Sequence, residues 1–314
     1  MALPFATLSA LTKETILPDL VDNIFKSNVV FDKLLRNAKV VGGAPRIRVP
    51  IESDKTDNYG AVAKTATLTN TPSEIATNAY VVPKNYYASI GVYGADLAQN
   101  QSPAQVISLL EASAKNARKT LADDLATDMF GTQSSAEVLG FRDCIKATGS
   151  AFEGIDPSDL STWESNGGNG VKDIASAAIT VGTIRDEIVN ATDGADGPDL
   201  IITTTSLYSD FAGVLESKER LVDHKGTTQL GFTNFTYMGI PVVADSHCPS
   251  TWIFILNLSH IYFAVLKGQS FKAQPYRYAE TKDIYFTYIF WRGALAVDKR
   301  SAQAGIKDVT GITS

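Results

Sequence analysis

The sequence predicts an α+β protein with its longest helix in the first half and a strand-rich second half. Apolar residues recur every three or four positions from Val106 to Met129, and β-branched and aromatic runs fill the chain from Gly239 onward. With 314 residues, 44% of them hydrophobic and 20% charged, the chain can bury a real core. Single cores stop growing at roughly 250 to 300 residues, so two domains intertwined in sequence are expected.

Between Thr12 and Lys39, Ile16, Leu20, Ile24, Val30, Leu34 and Leu35 keep mostly helical spacing, interrupted at Pro18 and Ser27-Asn28. One or two short amphipathic helices are expected there. Gly42-Gly43-Ala44-Pro45 breaks the pattern, and Arg46 to Ile51 alternates as a strand should. Residues 52 to 79 are rich in Thr, Asn, Ser, Asp and Ala and poor in large apolar groups. They form a long hairpin or a loop, serving either as a partner-dependent arm or as a surface insertion.

The long helix has a clear start: Ser102 can cap it, Pro103 suits its first turn, and Gln105 can complete a capping box. Val106, Leu110, Ala114, Ala117, Leu121, Leu125 and Met129 then share one face, Glu111, Lys115, Lys119 and Asp123 another, and Gly131 ends it. Such a helix is about 40 Å long. Gly149 to Gly170 includes Asp156-Pro157 and Asn166-Gly167-Gly168-Asn169-Gly170, which favours turns and marks a candidate domain boundary.

A second amphipathic helix is expected from Val171 to Asn190, with Ile174, Ala177, Ala178, Val181, Ile184 and Ile188 inward. Leu200 to Thr204 reads as a buried strand, followed by a helix near Ser206 to Lys218. Further strands are expected at Gly239 to Val243, Trp252 to Leu256, Ile261 to Leu266 and Ile284 to Trp291.

A formal charge of -6 argues against a protein whose main task is gripping nucleic acid. The opening residues lack the basic segment and apolar run of a secretory signal, and Trp252 to Leu256 is too short to span a bilayer, so soluble intracellular synthesis is expected. Cys144 and Cys248 fit no redox or zinc spacing and read as buried free thiols. His224, His247 and His260 are few for a hydrolase or metalloenzyme, and His247-Cys248, before Pro249, reads as an ordinary turn.

Asn166 to Gly170 lacks the Lys-Ser/Thr ending of a phosphate loop and reads as a linker. Asp123, Asp124 and Asp128 beside Arg118 and Lys119 read as a solvated charged face. No G-x-S-x-G occurs. An enzyme is therefore not expected, nor a cofactor or metal. Lys39, Arg46 and Arg48 form a small basic cluster able to meet phosphate or an acidic neighbour.

Five stretches, taken in order and spacing, resemble the Hong Kong 97-type capsid fold of tailed phages over nearly the whole chain. Val82-Pro83-Lys84 followed by Val92 to Leu97 is similar to the strand returning from that family's extended loop into a short helix. Ser102 to Phe130 is similar to its spine helix, and Gly131 with Leu139-Gly140-Phe141 to the turn after it. Met238 to Val243 resembles the axial-domain G-x-P-V strand, and Ile284 to Ala296, with Trp291-Arg292-Gly293-Ala294, the closing strand.

The resemblance implies an N-terminal arm at 1–48, an extended loop at 49–88, a peripheral domain at 89–170 containing the spine helix at 102–130, and an axial domain at 171–270. Residues 271–314 would return strands to the peripheral domain and supply a C-terminal tail. It implies a major capsid protein that self-assembles into hexamers and pentamers of an icosahedral or prolate head enclosing double-stranded DNA. Assembly would occur in the host cytoplasm and the product would be the virion capsid.

Scaffolding, portal and decoration proteins are the implied partners, with packaged DNA touched weakly and no membrane. The chain starts almost at the arm, which implies a separate scaffold. Assembly contacts are expected at Arg46, Arg48, Lys55, Tyr59 and Lys64. Some relatives join Lys and Asn side chains between subunits, but Lys55 and Lys64 read first as solvated lysines. A nanocompartment shell of the same fold, a soluble enzyme and a nucleic-acid-binding module are the alternatives.

Overall fold

The computed structural model describes residues 28–56, 58–65, 67–68, 71–72, 74–99, 109–132, 136–216 and 235–313. The expected helix start at Ser102 to Gln105, most of the expected arm, and His224 lie outside them. The first described helix is α1, Val29–Arg36. Asn28 caps it, its side-chain oxygen accepting from the Phe31 amide at 2.9 Å, and Val29, Val30, Phe31 and Leu34 are buried. Strand β1, Lys39–Val41, follows.

Strands β2, Ile47–Glu52, and β3, Ala76–Val81, pair antiparallel as the two-stranded base of a hairpin. The alternation read from the sequence is present: Ile47, Val49 and Ile51 of β2 are buried with Ala79 and Val81 of β3, and Arg48, Pro50 and Glu52 are exposed. Among the described residues of 53–75 there is no strand, so this stretch is a long loop on a short paired base. Strand β4, Lys84–Tyr93, runs into helix α2, Gly94–Gln99.

The long helix α3 is described from Leu109 to Phe130 and stops where expected, with the Gly131 amide donating to the Asp128 carbonyl at 2.9 Å. Gly140, before the short helix α4 (Phe141–Cys144), has a reason to be glycine: a Cβ there would lie 2.2 Å from the Gly131 carbonyl oxygen.

Contacts divide the chain into two units. The described residues of the first are 87–99, 109–121 and 273–289. In it β12, Arg277–Tyr278, the next strand after the short β11 (Lys272–Ala273), pairs antiparallel with the start of β13, Ile284–Val297. The Gly94 amide donates to the Asp283 carbonyl at 3.0 Å, and the Tyr87 and Tyr288 rings meet edge to face at 6.4 Å.

In the second unit β1 pairs parallel with β10, Ile261–Leu266, which pairs antiparallel with the second half of β13. Phe31, Phe263 and Trp291 stack edge to face there. A six-stranded sheet follows the order β5-β14-β9-β6-β8-β7. These strands are β5 (Lys172–Thr180), β6 (Leu200–Thr203), β7 (Thr236–Tyr237), β8 (Ile240–Ala244), β9 (Ile253–Leu256) and β14 (Ala304–Thr313).

Helices α5, Val181–Asn190, and α6, Thr205–Glu216, share one buried cluster with this sheet, including Ile184, Ile188, Phe211, Ile255 and Ile306. Every residue of β6 and β9 is buried, which is why both read as apolar runs. Met238 and Gly239, both at positive φ, make the two-residue turn between β7 and β8.

The structure corrects two readings. The helix expected over Val171 to Asn190 is a strand as far as Thr180 and a helix only from Val181. The Thr180 hydroxyl accepts from the Thr183 amide and caps the helix, while β14 pairs in parallel with 172–180 and overrides the helical spacing of its alanines. Ala175 and Ser176 both take positive φ, incompatible with a continuous right-handed helix.

The glycine-rich stretch at 166–170 is packed rather than a loose linker. Asn166 is buried, its amide donates to the Gln303 carbonyl at 2.8 Å, and its side chain donates to the Gly170 carbonyl and to Glu187. Gly167 lies so near the Asn190 carbonyl that a Cβ would be 2.1 Å from that oxygen.

Candidate assembly surface

The exposed face of the β2–β3 base is built by register. Arg48 stands directly opposite Tyr80, its guanidinium 5.9 Å from the ring centroid, and the two line an open hollow with Arg46, Pro45, Ala44 and Val82. The structure thus brings Arg46 and Arg48 together. Lys39, read with them as one basic cluster, lies elsewhere: parallel pairing of β1 with β10 sets its amine 3.4 Å over the Tyr262 ring and 3.8 Å from Asp298.

Lys55, Tyr59 and Lys64 lie in the 53–75 loop and are exposed, Tyr59 by 78%. Val62, Leu68 and Ile75 of the same loop are also exposed, between 47% and 64%.

The hairpin base is tied down by residues that local spacing does not reveal. Glu153 sits at positive φ in the Phe152–Ile155 turn, and its carbonyl accepts from the Tyr80 amide of β3 at 2.8 Å. Its carboxyl accepts from the Val297 amide of β13 at 3.1 Å. Burial pushes that carboxyl up to about 8, further raised by Asp298 and opposed by Arg300.

Arg300 is fully buried over the Phe152 ring. Its Nε donates to the Cys144 carbonyl at 2.7 Å, and its Nη1 to the carbonyls of Ser150 at 2.9 Å and Trp163 at 3.2 Å. Burial pushes the Cys144 thiol up to about 12 and raises the Cys248 thiol too, so both free cysteines are the inert thiols expected.

Beside this anchor an open groove of about 1120 Å³ is lined by Glu52, Lys55, Trp163, His260, Asp298 and Lys299, among others. His260 bridges Asp298 at 2.7 Å and Asp196 at 2.9 Å, and Lys299 reaches Asp196 at 2.8 Å and Asp193 at 3.2 Å. Lys299, with His260 and Asn257, holds the Asp196 carboxyl at about 2.

The carboxylates of α3 are more than a solvated face. Asp128 accepts from the Tyr86 hydroxyl at 2.6 Å, and that hydroxyl oxygen in turn accepts from the Val138 amide at 2.9 Å. Asp123 meets His247 Nε2 at 2.8 Å, so the His247 turn is not ordinary either. Among the described residues no His, Cys, Asp and Glu cluster could hold a metal ion, and no helix is long and apolar enough to cross a membrane. The arrangement is an exposed, partly basic face on a braced hairpin base.

No family model matches the sequence, and no curated protein matches it. Solved structures do match. A cyanophage A-1(L) capsid chain is 16% identical with a TM-score of 0.69, over 98% of this chain and 100% of that one. A capsid chain of a native GTA particle is 14% identical with a TM-score of 0.69, over the same shares. The SrpI encapsulin of Synechococcus elongatus PCC 7942 is 10% identical with a TM-score of 0.65, over 100% of this chain and 99% of that one. Such likeness establishes a fold: the chain has the Hong Kong 97-type fold, as expected.

Proposed function

We propose, from the premise of a Hong Kong 97-type fold, that this protein is the major capsid protein of a tailed bacteriophage. The observation that carries the reading is whole-length likeness to shell subunits, with 98% or more of each chain covered in the three comparisons. In this reading the arm is 1–48, the extended loop 49–88, the peripheral domain 89–170 and the axial domain 171–270, with 271–314 returning to the peripheral domain. Subunits form hexamers and pentamers of a head that encloses double-stranded DNA. Scaffolding and portal proteins act as partners in the host cytoplasm.

The mechanism is cohesive rather than chemical. A polar loop that cannot bury its own Tyr59, Val62 and Leu68 gains by lying across a neighbour, where backbone pairing and apolar burial offset its ordering. Lys55, Lys64, Arg46 and Arg48 offer charge to that neighbour. Head-to-tail contacts repeated around an axis close into rings, and many modest contacts add up through multivalency.

The test is electron microscopy and light scattering of the expressed protein, alone and with its scaffolding protein. Hollow shells or rings support the reading, and a monomer under every condition refutes it. Replacing residues 54–74 by Asn-Gly, which leaves β2 paired with β3, should keep the subunit folded and abolish shells. The encapsulin likeness favours a second reading, a nanocompartment shell. Packaged DNA in shells from the native source supports the first, and a packaged enzyme the second.

A further inference from the structure

Three stretches far apart in sequence converge on the His247 ring. From α3 comes Asp123, whose Oδ1 lies 2.8 Å from Nε2. From the turn after β8 comes Asp245, whose Oδ1 lies 3.3 Å from Nδ1 and also accepts the His247 backbone amide at 3.0 Å. From the start of α1 comes the neutral side chain of Asn28, its Nδ2 3.5 Å from Nδ1 while its oxygen caps that helix. The His247 side chain is 8% exposed and that of Asp245 not at all, while Asp123 is 41% exposed.

Of the other groups near the ring, Cys248, Asp124 and Ser246 supply no positive charge, and Lys119 lies one turn before Asp123 on α3. Cys248 stays a neutral thiol, since burial and Asp245 raise it. Asp124, beside Asp123, is itself raised by burial, by Glu137 and by Asp123. Ser246 adds only a hydroxyl, 3.4 Å from Nδ1. Asp245 keeps one buried oxygen without a partner, so its only cation in contact among the described residues is the imidazolium.

An imidazolium donates from both nitrogens, whereas a neutral imidazole donates from one. Only the protonated ring can donate to Asp123 and Asp245 at once; a neutral ring with its proton on Nε2 keeps the Asp123 bond without the charge and loses the one to Asp245. We infer that His247 is a proton-operated latch, fixing the second half of α3 to the turn after β8 beside the cap of α1, and loosening that junction when it loses its proton.

The direction is consistent: Asp245 raises the His247 ring above its ordinary value against the opposing effect of burial, with help from Asp123. A raised histidine stabilises fully below its unfolded value, and the contribution disappears as pH rises through the folded value. The latch is thus tightest on the acid side of the transition and loosens on the alkaline side.

Amide hydrogen exchange of the full chain tests this, read in segments 120–130 and 243–249 from about pH 6 to about pH 9 after correction for intrinsic exchange. Protection there should fall on the order of tenfold across the titration of His247, followed through its ring proton resonances. His247→Gln should remove the pH dependence. Asp123→Asn, at an exposed acceptor, should move the midpoint to lower pH and remains readable if His247→Gln does not fold. Protection flat with pH in the wild type, an unchanged pH dependence in His247→Gln, or an unmoved midpoint in Asp123→Asn would overturn the latch.

Discussion

Replacing Glu153 by glutamine should stabilise the subunit in neutral and mildly alkaline solution. The carboxyl is buried, with one oxygen accepting from Val297 and the other unpartnered, and burial lifts it from 4.5 to about 8. Between those values the folded protein holds a proton that the unfolded chain has released. Wild-type stability therefore declines as pH rises from 4.5, by about 1.4 kcal/mol per unit, and stops declining near the folded value.

Glutamine has the same shape, keeps an oxygen for the Val297 amide and does not titrate. The two proteins should match near the ordinary carboxylate value and diverge by on the order of 5 kcal/mol at the alkaline end, the full interval multiplied by that slope. Urea unfolding of the unassembled subunit at a series of pH values measures the difference directly. Parallel curves at all pH values would show that Glu153 ionises in the folded protein without penalty, and would refute the burial argument.

Arg300→Met should destabilise by about 3 kcal/mol or more, because three carbonyls, those of Cys144 and Trp163 buried, lose their charged donor, and a fall in the urea midpoint would show it. Gly140→Ala forces a methyl group to within 2.2 Å of the Gly131 carbonyl oxygen. The loss should be about 1 to 3 kcal/mol, seen as a lower melting temperature, and an unchanged one would mean that the turn relaxes freely.

Much of the fold was legible because it is written locally. The alternation of Ile47, Val49 and Ile51, the fully apolar β6 and β9, and the Gly131 stop each express a period or a conformational limit within a few residues. Strand β5 was not, since its state is set by β14 more than a hundred residues later. The anchors escaped for the same reason. His247 meets Asp123 across 124 positions, and Arg300 meets Cys144 across 156, so neither pair leaves a local spacing to read. Of the expected contact residues, Arg46 and Arg48 converge because β2 presents Arg48 opposite Tyr80. Lys55 and Tyr59 lie exposed on the 53–75 loop, away from the hollow that Arg46 and Arg48 line.

The parallel pairing of β5 with β14 has a consequence for how the chain reaches its native state. Thr313 and Ile179 are hydrogen-bonded across 134 positions, and β1 finds β10 over a still longer separation. Closing such loops costs entropy before any contact is gained, so collapse to the native topology should be slow for the chain's size. Until β14 is inserted, β5 and β9 both present open edges carrying unpaired amides and carbonyls, templates for aggregation with other copies. A protein made in large numbers at once would then compete with its own misassembly, and its yield would depend on chaperone capacity as much as on the stability of the finished subunit.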